Sequence, residues 1–303
     1  MAEQTRWQRW KERLTRSEAF WGYLFLTPTL IGLLLFSAGA LLATFVLGFC
    51  DWAVLTPPVW VGLKNYQTAL VDPLFRKALW NTIYYTLGSV PLNLVFAVAF
   101  ALLLNRKIRG IMVYRTTFFM PVISSVVAVS LLWSWIYDPQ FGLINYILKT
   151  LFHINGPRWL SDISWAMPAV ILMSVWRNLG YSIVIFLAGL QGIPIEYYES
   201  AKIDGAKWYQ LVTRITLPLL SPTTFFIIIT SIIGSFQVFE QTYVLTRGGP
   251  ANATMTIVYL LFSNAFEWFK MGYACAIGNV GFVIVLFVTW LQLKYQNRWV
   301  HYQ

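Results

Sequence analysis

The chain has 303 residues, of which 58% are hydrophobic and only 11% charged, whereas a soluble domain is about a quarter charged. That balance excludes an ordinary soluble globular protein. The formal charge of +10 does not indicate a nucleic-acid binder, because the cations are distributed loop by loop rather than gathered into a patch.

About 20 apolar residues carry a helix across a hydrocarbon layer roughly 30 Å thick, and six blocks reach that length: 20–49, 80–104, 112–137, 166–190, 218–245 and 271–293. The expectation is an all-α integral membrane protein with six transmembrane helices. Residues 1–19 form an amino-terminal segment, 20–293 the transmembrane domain and 294–303 a tail. The first block follows basic residues and contains Ala38-Gly39-Ala40, but its apolar run continues to Phe49, too long for a secretory signal, so it reads as a retained span.

The cations set the orientation. Arg6, Arg9, Lys11, Arg13 and Arg16 precede the first span. Arg106, Lys107, Arg109 and Arg115 follow the second, Lys202, Lys207 and Arg214 lie between the fourth and fifth, and Lys294 and Arg298 follow the last. Those fourteen share one face, against seven on the other: Lys64, Arg76, Lys77, Lys149, Arg158, Arg247 and Lys270. The richer face is cytoplasmic, which puts both termini inside.

Connections on the poorer face carry turn chemistry at Thr56-Pro57-Pro58, Asp72-Pro73, Asp138-Pro139, Asn155-Gly156-Pro157 and Arg247-Gly248-Gly249-Pro250. Trp52, Trp60, Trp80, Trp133, Trp135, Trp159 and Trp165 gather there as an interfacial belt. Pro28, Pro91, Pro121 and Pro168 bend helices or start them. Cys50 and Cys275 fit neither a metal site nor a disulfide framework, and His153 and His301 read as solvated surface.

Between the fourth and fifth spans lies a polar insert, 191–217. Pro194 suits a first helical turn. Glu196 and Glu199 lie toward the positive end of the helix dipole and Lys202 toward the negative end. Asp204-Gly205 stops that helix, since glycine can take the left-handed conformation that closes it. A second helix restarts at Ala206. A ten-residue helix is marginal alone, so a partner or a surface must hold it. Tyr197, Tyr198 and Ala201 offer a face for a groove on another protein; the alternative is a helix lying on lipid. Glu196, Glu199 and Asp204 offset the three bases, which argues against anionic lipid.

The stretch "ESAKIDGAKWYQLVTRITLPLLSP" resembles the cytoplasmic loop of ABC importer permeases, written EAA…G…I-LP in that family. Glu199, Ala201, Gly205, Ile215, Leu217 and Pro218 match, Asp204 and Ala206 fit, and Ser200 replaces the usual alanine. "YLFLTPTLIGLLLF", "FFMPVISSVVAVSLLWSWIYDPQFGLIN" and "VLTRGGPANATMTIVYLLFSNAF" resemble the binding-protein-dependent sugar permeases, in particular a maltose-type first permease subunit. The chain is without that subunit's extra amino-terminal spans and large external domain.

The resemblance implies a type I ABC importer permease core in the cell inner membrane. Its partners would be a second homologous permease, a dimer of ATP-binding cassette subunits, an extracytoplasmic substrate-binding protein and membrane lipid, with no nucleic acid. The first short helix would be the coupling helix: Glu199 contacts the ATPase, Gly205 is the elbow, and Ala201 and Ala206 allow close approach. ATP and magnesium would be bound by the partner; this chain has no cofactor or metal of its own. It contains no G-x-x-x-x-G-K-[ST], H-E-x-x-H or G-x-S-x-G and reads as a transport subunit, not an enzyme.

Polar residues are costly inside spans and mark pathways. The fourth span offers Trp176, Arg177, Asn178 and Tyr181, and the fifth Ser235, Gln237, Phe239 and Glu240. The resemblance favours Tyr181 and Ser235 as solute contacts, with Asn178, Gln237 and Phe239 beside them. Arg177 and Glu240 read as an ion pair or a pair of gate residues, about 9 Å apart in depth at 1.5 Å per residue, or as a charged-solute site. The solute would be a sugar, oligosaccharide or glycoside. The alternatives are a same-superfamily permease for glycerol phosphate or polyamine and, from another class, an ATP-independent secondary transporter.

Overall fold

A computed structural model describes residues 18–106 and 109–300. The five cations before the first span, Lys107 and His301 therefore lie outside the described residues. The expected helical class holds; the described strands are the two-residue pair β1 (Cys50–Asp51) and β2 (Val59–Trp60), an antiparallel hairpin with Cys50 opposite Trp60.

Helix α1 (Glu18–Leu47) is long enough to cross a bilayer and stands almost wholly outside the body, with none of its most apolar stretch buried. It passes through a π-helical segment, Leu33–Ala38, where the Gly39 N–H reaches back to the Leu34 carbonyl. Only its last turns touch the body. There Asn279 donates to the Thr44 carbonyl at 3.3 Å and to the Tyr66 hydroxyl at 2.9 Å, and Phe45 meets Phe282 edge to face.

After the short α2 (Lys64–Val71), helix α3 (Pro73–Leu104) begins seven residues earlier than the hydrophobic block predicts. The Asp72-Pro73 pair read as a turn is a helix start. The Asp72 carboxylate accepts the Leu74 N–H at 2.8 Å, and proline at N1 has no N–H to leave unsatisfied. The other Asp72 oxygen accepts from Tyr273 at 2.7 Å, tying this end of α3 to the last helix.

The third block is not one straight crossing. It divides into α4 (Ile111–Ile123) and α5 (Val126–Ile136), which meet at 101°. Pro121 withholds a backbone donor from the last turn of α4, and Ser124 and Ser125 are extended, with ψ of 145° and 131°. Beyond α5 the Asp138 carboxylate accepts the N–H groups of Phe141 and Gln140, each at 2.8 Å, and these bonds hold its pKa below the ordinary carboxylate value. A depressed folded-state pKa stabilises the turn at neutral pH, and that contribution is lost as pH falls through the folded value.

The amphipathic α6 (Leu143–Phe152) follows. The aromatic belt divides: Trp60, Trp80 and Trp135 are exposed, while Trp133 and Trp159 pack inward against Tyr137. Helix α7 (Ala166–Gln191) is the most buried span and packs along α3 and α4. At Gly180 it crosses α4 so closely that a Cβ would run into the Phe118 carbonyl.

The polar insert forms α8 (Ile195–Ile203) and α9 (Trp208–Leu219), the latter bent 61° from α10 (Ser221–Phe236). The fifth predicted span is also interrupted: α10 ends at Phe236, and α11 (Glu240–Thr246) resumes after Gln237–Phe239. Residues 247–256 then form an ordered knot in which Ala253, Thr254, Met255 and Thr256 are buried. Asn81 donates to the Asn252 and Met255 carbonyls at 2.9 Å, and the Thr82 hydroxyl accepts the Ile257 N–H at 3.0 Å. The stretch taken for a plain connection thus contains a buried helix, α12 (Ile257–Glu267), set against α3 and α13 (Met271–Tyr295). Among the described residues four helices are long and apolar enough to cross a membrane, and six segments are when each bent pair counts as one.

Gly180→Ala should destabilise the protein by about 1–3 kcal/mol, since the added carbon meets backbone that cannot swing aside. The apparent melting temperature of the purified complex reads this directly. Gly22→Ala, with nothing within 4 Å of the new carbon, should leave the melting temperature unchanged or slightly raised.

Candidate functional site: a polar cavity at the helix breaks

A cavity of about 670 Å³ is walled by α3, α7, α10 and the start of α11. Seven of the eight residues singled out within the fourth and fifth spans line it: Arg177, Asn178, Tyr181, Ser235, Gln237, Phe239 and Glu240; Trp176 instead meets Trp133 edge to face. Gln237 and Phe239 reach it where α10 has ended. A chain kept helical through 237–239 would rotate successive side chains around the helix instead of spreading them across one wall.

Helix α3 supplies a wall that the sequence reading missed. Tyr85, Ser89 and Asn93 line the cavity, and with Asn81 they recur every fourth residue, on one face of a helix. That spacing was the available signal. Ser174, Ser182, Thr230, Ser231 and Gln241 complete the polar lining.

Within this lining the hydroxyls and amides are joined across helices. Ser182 on α7 donates to the Asn93 Oδ1 on α3 at 2.6 Å, and Thr86 on α3 meets Ser235 on α10 at 2.8 Å. The Asn93 Nδ2 and Arg177 Nε are enclosed without a partner, and the Ser174 hydroxyl lies beside that of Tyr85. Arg177 forms no ion pair with Glu240. It donates to the Asn178 Oδ1 at 3.2 Å and to the Ser124 carbonyl, at the α4–α5 break, at 3.4 Å. A cation suits that position, where the end of α4 leaves carbonyls unpaired. The Val238 carbonyl at the other break accepts from Thr256 at 2.8 Å.

The second feature is the elbow after α7. Helix α8 ends in a Schellman motif: the Ala206 N–H bonds the Ala201 carbonyl at 2.9 Å and the Gly205 N–H bonds the Lys202 carbonyl at 3.0 Å, with Gly205 at φ +76°. Nothing crowds Gly205, so backbone conformation alone requires glycine. Helix α9 starts at Trp208, two residues later than expected, where the Lys207 N–H donates to the Gln210 side chain at 2.7 Å.

Glu199, Ser200, Asp204 and Gly205 are exposed, while Ala201 and Ala206 are half-buried. The expected outward face needs correction. Tyr198 turns inward, its hydroxyl 3.0 Å from that of Thr216 and its ring against the core of α7 and α10. The exposed apolar groups are Ile195, Tyr197 and Ile203, the last 86% exposed. Among the described residues no cluster of His, Cys, Asp and Glu is fit to hold a metal, and Cys50 and Cys275 are free and buried.

Residues 93–301 match the family described as binding-protein-dependent transport system inner membrane component. The chain belongs to this family. It is 37% identical, over 97% of its length and 96% of the relative's, to the probable ABC transporter permease YesP of Bacillus subtilis (strain 168). It is 34% identical to the arabinooligosaccharides transport system permease AraP of the same organism, over 90% of this chain and 87% of that one. Among solved structures, a chain from a bacterial ABC transporter that imports the acidic polysaccharide alginate superposes with a TM-score of 0.82 at 24% identity, covering 96% of this permease and 99% of its own length. That likeness shows the fold. The chain is therefore an inner-membrane, multi-pass permease subunit of an ATP-driven importer, a transport component rather than an enzyme.

Ser182→Ala in this permease strips the last partner from a buried amide and should destabilise it by about 1–3 kcal/mol. Adding Asn93→Leu should recover part of that loss, since removing both members leaves no orphan. A thermal unfolding cycle of the two single variants and the double variant measures it.

Proposed function

We propose that this permease moves a sugar, oligosaccharide or glycoside from an extracytoplasmic binding protein through the cavity between α3, α7 and α10. One observation carries the reading: seven polar and aromatic residues from two spans converge on a single space at membrane depth. Its volume, about 670 Å³, falls within the 300–1,000 Å³ usual for small-molecule sites. Hydroxyl and amide groups suit a polyhydroxylated solute, and the exposed Tyr181 ring can stack on a sugar face. The printed name of AraP supports the carbohydrate class.

A second permease completes the pathway, since this chain supplies only one side of it. The excess of cations on the α8 face puts that face, and both termini, in the cytoplasm. The 20–293 segment is the transmembrane domain. Helix α8 docks in a groove on an ATP-binding cassette subunit, which binds ATP and magnesium. Glu199, Ser200 and Ile203 make the contact; Asp204, Gly205 and Ala206 set its angle. A core of packed helices then rocks between inward-open and outward-open states, because packed cores switch between discrete arrangements.

Reconstituting the complete importer in liposomes tests the scheme. Uptake should require internal ATP and the binding protein; uptake driven by an ion gradient alone would overturn it. Glu199→Lys should leave the protein inserted while reducing binding-protein-stimulated ATP hydrolysis to its basal rate. Tyr181→Ala should lower uptake about tenfold, the equivalent of ~1.4 kcal/mol, with the complex still assembled; unchanged uptake would displace the solute site.

A further inference from the structure

The carbohydrate reading leaves one group in the cavity unexplained. Arg177 lies midway along α7, at a depth where an uncompensated cation is expensive, and it lines the cavity. Its acceptors are neutral and distant: the Asn178 side-chain oxygen at 3.2 Å and the Ser124 carbonyl at 3.4 Å. Charge-assisted bonds to a carboxylate or phosphate run at about 2.7–2.9 Å. No carboxylate among the described residues pairs with it, and its Nε has no acceptor.

The carboxylate on the same wall is compensated differently. Glu240 is the first residue of α11, where unpaired backbone N–H groups favour negative charge. The cation has no such support beyond the end of α4. A second donor on the cavity wall points the same way, since the Asn93 Nδ2 also lacks a partner, and the Ser174 hydroxyl one turn before Arg177 lines the same space. A neutral sugar could satisfy the amide and the hydroxyl. It could not neutralise a guanidinium.

We propose that the transported carbohydrate carries an anionic group (a carboxylate, sulfonate or phosphate) and that Arg177 receives it, with the Asn93 amide and Ser174 hydroxyl as neighbouring donors. The proposal rests on the carbohydrate reading and narrows it. The guanidinium fork matches two oxygens of such a group at once. The bond to the Ser124 carbonyl aims it beforehand, so less conformational freedom is lost on binding. Selection would arise because a neutral analogue leaves the guanidinium unpaired, and sites with unpaired polar groups reject analogues strongly.

The test uses the complete importer in nanodiscs without its binding protein, so that the receptor's own selectivity does not enter. Saturation-transfer NMR measures binding of matched probes: galactose against galacturonate, glucose against glucuronate, glucose 6-phosphate and sulfoquinovose, and neutral disaccharides against the corresponding uronate disaccharides. At least one anionic class should bind tenfold or more tightly than its neutral counterpart. Which class does so separates carboxylate, phosphate and sulfonate. Arg177→Gln should abolish that preference while neutral probes still bind, and Arg177→Lys should retain part of it. Glu240→Gln should preserve or increase the preference.

Equal binding of neutral and anionic probes, or a preference that survives Arg177→Gln, would overturn the anionic assignment and leave the carbohydrate permease intact. Loss of the preference in Glu240→Gln to the same degree as in Arg177→Gln would assign the two residues to an ion pair formed in another state, and would also overturn it. An importer that binds no carbohydrate of either charge would overturn the broader reading as well. A melting curve for each variant confirms that a negative result comes from folded protein.

Discussion

Helices α3 and α7 lie along one another for much of their length, and the polar seam between them governs the rest of the structure. A bilayer offers no water to satisfy a backbone or side-chain polar group, so spans must be continuous helices except where they border protein or a wet cavity. Here the polar residues of α3 face inward, and Ser182 meets Asn93 where the seam opens. Both helix breaks, at Ser124-Ser125 and at 237–239, are handled from within the body. Arg177 takes one exposed carbonyl and Thr256 another. Irregular backbone and a polar pocket therefore occur together for one reason: each is tolerable only beside the other.

The same economy of contact connects the elbow to the cavity. Tyr198 fixes α8 to Thr216 in the last turns of α9, and α9 continues through a bend into α10. The far end of α10 carries Ser235 and the break residues that line the cavity. Helix α8 is thus joined to the cavity wall by one continuous, hydrogen-bonded stretch of chain. Gly205 matters at the near end because any other residue would meet a left-handed penalty of about 1–2 kcal/mol, which would loosen the angle between α8 and α9.

Much of this was readable from residue order alone. Long apolar blocks announce spans because hydrocarbon thickness imposes a minimum length, and the Asp204-Gly205 stop is legible because few residues other than glycine take φ +76°. The breaks were harder. Pro121 and Gly234 permit an interruption without demanding one, and only packing decides between a kink and a 101° turn. Helix α12 escaped notice because eleven residues are too short for a span, and its burial depends on contacts with α3 more than 170 positions earlier. The inward turn of Tyr198 and the exposure of Ile203 were equally out of reach, since both faces of α8 mix apolar and charged residues.

A carrier must bind its solute well enough to orient it and loosely enough to release it. Two of the cavity's hydroxyls already have partners across helices, Ser182 in the Asn93 amide and Ser235 in the adjoining Thr86. A solute hydroxyl that bonds one of them replaces an existing hydrogen bond instead of adding one, so the net gain at each contact is small. Any affinity at these two positions would be held down in this way. Arg177 departs from this pattern, because its present partners are long and uncharged. Whatever meets that side chain gains more per contact than anything else in the cavity, which makes it the position where selection among solutes can be strongest.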